Sequence, residues 1–123
     1  MNRQLNGQDQ VELDFLAALH RRLPRDEGVI KALADLYTRA GEFDRGYELD
    51  LELVRLDPSD AIVWYNLACS QALLHMKKEA FESLDCAVDL GYREVEHLRE
   101  DEDLKSLRDD PRFEGLMLRL TAA

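Results

Sequence analysis

Residues 57–91 read DPSDAIVWYNLACSQALLHMKKEAFESLDCAVDLG, and the fold is decided in this stretch. Asp57-Pro58 breaks any helix before it, and Ser59 or Asp60 is a capping residue ahead of an apolar run. Trp64, Leu67, Ala68, Gln71 and Leu74 then recur three and four positions apart, the spacing of one helix face. A polar turn follows around His75. From about Lys77 a second helix carries Phe81, Leu84, Ala87 and Val88 to Gly91, a residue that ends helices at little steric cost. The segment is therefore expected to form a helical hairpin, with Ala68, Ala80 and Ala87 small where its two helices approach.

The same unit lies upstream. Sliding the sequence by 34 positions sets Pro24 on Pro58, Ile30 on Trp64, Leu33 on Leu67, Ala34 on Ala68, Val54 on Val88 and Leu56 on Leu90. It also sets Leu13 on Tyr47 and Phe81, and Leu19 on Leu53 and Ala87. In this earlier unit Asp26 caps a helix through Ile30, Leu33, Ala34 and Tyr37 that stops at Gly41. A second helix begins near Phe43 and runs to Asp57-Pro58. Residues 9–24, with Leu13, Leu16 and Leu19 on one face, read as the second helix of a half-unit ended by Pro24. Residues 26–58 and 59–91 are then two full units, and 92–123 are something else.

That remainder predicts three short helical pieces, Val95 to Arg99, Glu102 to Arg108 and Pro111 to Leu120. Asp110-Pro111 is a strong start: a capping acid, then proline at the first helical position. A stack of hairpins exposes an apolar face at its end, so a terminal cap is physically required. The length of 123 residues fits one domain, 1–123.

The run Trp64-Tyr65-Asn66-Leu67-Ala68, with Ala80 and Ala87, resembles the tetratricopeptide repeat, and the earlier unit matches it through Leu33, Ala34, Tyr37, Gly41, Phe43 and Pro58. With the half-unit, the resemblance covers roughly residues 11–92. Gly91-Tyr92-Arg93, Leu98 and Asp109-Asp110-Pro111-Arg112-Phe113 resemble the closing segment of many bacterial proteins of this class. The resemblance implies an all-α, α-α superhelix (a TPR-like solenoid) with an N-terminal half-repeat and a helical cap. Four positions depart from the family pattern: Gly46 stands for Ala, Asp50 for a bulky apolar residue, Gln71 for an aromatic and Tyr92 for Pro.

Catalytic patterns are sparse. The six glycines form no phosphate-cradling loop, and no HExxH pair or Gly-x-Ser-x-Gly elbow occurs. Cys69 and Cys86 make no CxxC pair or four-ligand pattern and read as small apolar fillers. His97 is the best metal candidate, with Glu94 three residues before it and Glu100 and Asp101 three and four after. It lacks a second histidine one turn away, and the same spacing describes an ordinary solvated face. The acidic run Glu100-Asp101-Glu102-Asp103 lacks the glycine and spaced oxygens of a calcium loop and suits the start of a helix. No cofactor, no metal and no enzymatic activity are expected.

The net charge of −10 argues against nucleic acid and anionic membrane as partners. The polar opening MNRQLNGQDQ has no apolar export core, so the expectation is cytoplasmic. The expected function is protein–protein interaction, an adaptor or scaffold holding a peptide or protein. In proteins resembling this repeat the first helix of each pair lines a concave surface. That implies a partner-binding face of Lys31, Asp35 and Arg39 on one helix and Tyr65, Asn66, Cys69 and Leu73 on the other. Lys31 and Asn66 fall on two positions of the carboxylate clamp some members use, but Asp35 would repel a carboxylate there. The competing reading is that the cap or the N-terminal helix folds across this groove and buries it. The alternative function is self-assembly as a homodimer that covers exposed solenoid ends.

Overall fold

The computed structural model describes residues 5–122 and is all-helical, with eight helical segments and no strand among the described residues. Positions 1–4 of the polar opening and position 123 of the cap lie outside them. Length alone suggests one domain; the chain divides after Asp57 into two compact units, each described here by itself.

The first unit holds α1 (Gly7–Arg22), α2 (Glu27–Arg39) and α3 (Phe43–Leu56). α1 begins earlier than its apolar spacing suggests, because the Asn6 side chain accepts the Asp9 N–H at 2.8 Å. Asp26 caps α2 by accepting the Val29 N–H at 3.0 Å. α2 packs on both neighbours, and Leu13 and Leu16 of α1, Ile30, Leu33 and Leu36 of α2, and Leu49 and Leu53 of α3 are buried. Each such leucine or isoleucine contributes about 1.5–3 kcal/mol by leaving water.

The second unit holds α4 (Ala61–Leu73), α5 (Lys77–Asp89), α6 (Val95–Glu100), a 3₁₀ helix (Glu102–Leu107) and α7 (Pro111–Thr121). Asp60, Asp101 and Asp110 cap three of these starts through their side-chain oxygens. α4 and α5 form the hairpin, with Ala68, Ala80 and Ala87 fully buried where they meet. The last thirty residues close it. Leu98, Leu104, Leu107, Phe113 and Leu116 join the hairpin's Phe81, Leu84 and Val88 in one apolar cluster. Arg119 of α7 reaches across to Asp85 and Asp89, one turn apart on α5, and the Arg112 guanidinium lies 4.8 Å over the Phe81 ring.

The backbone repeats with the sequence. α2 and α4 start at residues 27 and 61 and end at 39 and 73, thirty-four positions apart at both ends. α3 and α5 start at 43 and 77, the same interval. The ends correspond as well. Gly41 and His75 both have positive φ, and the N–H groups of Glu42 and Met76 return to the carbonyls of Tyr37 and Gln71 at 2.9 Å each. α1 ends as α3 does, with the Leu23 and Asp57 N–H groups on the carbonyls of Leu19 and Leu53 at 2.8 Å.

Candidate functional site

On α2, Lys31, Asp35 and Arg39 are exposed. They form a mixed-charge strip: Arg39 Nε donates to Asp35 Oδ2 at 3.1 Å, and its terminal nitrogen lies 4.0 Å from Asp9 on α1. On α4, Asn66 is exposed and Leu73 half-buried.

Tyr65 and Cys69 require a correction. Both are expected at the open surface, yet they are 4% and 7% exposed. The 3₁₀ helix of the cap packs directly on α4 and lies over them. The covering is polar as well as apolar. The Tyr65 hydroxyl donates to Asp101 Oδ2 at 2.5 Å, and Cys69 Sγ lies 3.7 Å from the same oxygen. His97 Nε2 approaches that oxygen too, at 3.4 Å. Ser106 Oγ donates to the Ala72 carbonyl at 3.3 Å. For these two residues, the reading in which the cap folds across the helix is the one the structure has.

Asp101 is the centre of this arrangement. Its other carboxylate oxygen accepts the Asp103 N–H at 3.0 Å, and its carbonyl accepts a hydrogen bond from Arg108. One residue thus caps the 3₁₀ helix, anchors α4 and holds an arginine. The Tyr92 ring stacks on Tyr65, centroids 4.6 Å apart and planes 8° from parallel, and the His97 ring leans on Tyr65 at 5.5 Å. Tyr92 is 4% exposed, and its hydroxyl has no hydrogen-bond partner among the described residues. Burial pushes the Tyr92 phenol up to about 12, against a lowering by the neighbouring Tyr65 hydroxyl, and pushes the Tyr65 phenol far above the ordinary tyrosine value, with Cys69 and Asp101 adding to both.

The cluster also contains ligand-type atoms. Cys69 Sγ and one carboxylate oxygen each from Asp101 and Asp103 all lie within 4.8 Å of one another. The acidic run hints at this in the sequence, but the thiol comes from a helix thirty-two residues earlier. Spacing along the chain could not have joined them.

An open groove of about 560 Å³ in the first unit is lined by Ala17, His20, Tyr37, Arg45, Glu48 and Glu52 among others. Its polar groups face one another: His20 Nε2 lies 3.3 Å from Glu52, and Arg45 lies 3.4 Å from the Tyr37 hydroxyl. The Arg45 guanidinium also sits 5.5 Å over the Tyr37 ring. Among the described residues, no helix is long and apolar enough to cross a membrane.

A scan against protein-family models gives no match, and a search of curated proteins gives none.

Proposed function

We propose that the chain is a protein–protein interaction module of the tetratricopeptide-repeat type, an adaptor working in the cytoplasm rather than a catalyst. The observation that carries this reading is the thirty-four-residue interval, which recurs in helix starts, helix ends and left-handed turns. In this reading the helices form two hairpin units and a half-unit, built to present helix faces to a partner. The partner surface is the α2 strip of Lys31, Asp35 and Arg39, with Asn66 and Leu73 of α4 a separate contribution. Tyr65 and Cys69 leave the proposed surface because the cap covers them. A mixed-charge strip suits a polar, charged peptide or protein surface, and its contribution is chiefly to specificity and rate of encounter.

The test is affinity capture followed by calorimetric titration of the captured protein, wild type against a Lys31→Glu, Arg39→Glu variant with unchanged helicity. Binding lost in the variant supports the adaptor and its site. Binding retained moves the site off α2.

A second reading, self-assembly, is favoured by one specific feature. Val11 and Phe15 lie one turn apart on α1 and are 69% and 63% exposed. Glu12 and Asp14 sit in the first part of that helix and Arg21 and Arg22 at its end, so two antiparallel copies of α1 would oppose unlike charges. Light scattering on Phe15→Asp separates the readings. A dimer in the wild type that becomes a monomer in the variant favours self-assembly, and a wild-type monomer removes it.

A further inference from the structure

We propose that Cys69, Asp101 and Asp103 form a site for a zinc-class divalent cation that locks the C-terminal cap onto α4. This inference is independent of the partner-binding reading.

Geometry comes first. The three candidate ligand atoms lie within 4.8 Å of one another. Metal–ligand bonds of about 2.0–2.3 Å in a tetrahedron place ligand atoms roughly 3.3–3.8 Å apart. Cys69 Sγ to Asp101 Oδ2 is 3.7 Å, and His97 Nε2 to the same oxygen is 3.4 Å. The first of these matches an edge of such a tetrahedron. His97 approaches Asp101 alone and lies outside the three-residue group, so water completes the set.

The donor set selects the ion. Calcium and magnesium take oxygen ligands, whereas a thiolate joined by carboxylates suits zinc. Arg108 is directed at the Asp101 carbonyl rather than its carboxylate. The Tyr65 hydroxyl hydrogen-bonds Asp101 Oδ2, the outer support that orients a ligating carboxylate.

A separate observation points to a missing ligand. The Tyr92 hydroxyl is buried with no hydrogen-bond partner among the described residues, and its ring stacks on Tyr65, whose own hydroxyl bonds Asp101. A buried polar group without a partner destabilises the fold. An ion with its bound water or shifted carboxylate gives that hydroxyl something to bond. On binding, the Cys69 thiol releases its proton to solvent, the Sγ–metal bond forms, and no oxidant or reductant is involved.

The experiment uses the full chain with zinc alone in calorimetry and cobalt(II) alone in absorption. One zinc per chain is expected, with a higher melting temperature and a thiolate-to-cobalt charge-transfer band in the near ultraviolet. Cys69→Ser should abolish the band, and Asp103→Asn should weaken zinc binding by about tenfold or more. Cys86→Ser, at the other thiol, should leave both unchanged. Asp103→Asn keeps the test decisive should Cys69→Ser fail to fold. The proposal is overturned by no zinc binding to the wild type, by a band that follows Cys86, or by Asp103→Asn binding as the wild type does.

Discussion

His75 holds a left-handed backbone, φ 62°, at the position where Gly41 holds one at φ 82° a repeat interval earlier. Both residues end a helix and let the next N–H turn back onto it. The conformation is free for glycine and costs a residue with a Cβ about 1–2 kcal/mol. His75→Gly should therefore raise stability by about 1 kcal/mol, and Gly41→Ala should lower it by a similar amount. Urea melts followed by circular dichroism measure both. A His75→Gly protein no more stable than the wild type would mean that the histidine side chain compensates for its backbone.

The stacked pair Tyr65 and Tyr92 should respond oppositely to loss of their hydroxyls. Tyr65→Phe removes a bond to a carboxylate and should cost about 1.5–3 kcal/mol. Tyr92→Phe removes a hydroxyl that has no partner, so in metal-free protein it should be neutral or stabilising by up to about 1 kcal/mol. Thermal melts of the two variants in the presence of a chelator decide it. Equal losses would indicate that the two phenols share one network.

The helices were legible because their boundaries are written in short-range chemistry. Asp26, Asp60 and Asp110 cap where a capping acid precedes an apolar run, and Gly41 and Gly91 stop helices where their backbone freedom is used. The left-handed turn at His75 falls thirty-four positions after Gly41, but a histidine carries no such signal, and the sequence reads there only as a polar turn. What covers a helix face is a different matter. Helical spacing groups Tyr65, Cys69 and Leu73 on one side of α4 but says nothing of the chain that returns to that side thirty-six residues later through Asp101. Two of the departures from the family pattern have local reasons. Gln71 accepts a hydrogen bond from Ser83 at 2.6 Å inside the hairpin, and Tyr92 supplies the ring that Tyr65 stacks on.

Alkaline pH should unfold the second unit through its buried phenols. The unfolded chain releases tyrosine protons near pH 10, whereas burial pushes Tyr92 up to about 12 and Tyr65 higher still. Between these values the folded state holds more protons than the unfolded one, so stability falls as pH rises. It is fully present below about pH 10 and declines from there toward pH 12 and beyond. Melting temperatures of the wild type and of a Tyr65→Phe, Tyr92→Phe double variant, taken from pH 8 to 12, should diverge in slope only above about pH 10. Parallel curves would mean that neither phenol is linked to unfolding.

Gly46 sits in the interior of α3, where glycine costs about 1 kcal/mol relative to alanine. The reason for it lies on the facing helix. A Cβ built on Gly46 would come within 2.6 Å of Thr38 Oγ1 and 3.5 Å of the Ala34 carbonyl. The first approach is a clash, and the second is ordinary contact. Thr38 is β-branched and stiff at its first torsion in a helix, so it yields only by adopting a poorer rotamer or losing its own partner. Gly46→Ala alone should thus gain nothing or lose up to about 1 kcal/mol, the propensity gain being offset by the displaced hydroxyl. Thr38→Ala with Gly46→Ala should recover the full propensity and exceed the sum of the single changes by about 0.5–1.5 kcal/mol. A four-member denaturation cycle measures the coupling directly. Additivity within error would place the restriction on α3 elsewhere than at Thr38.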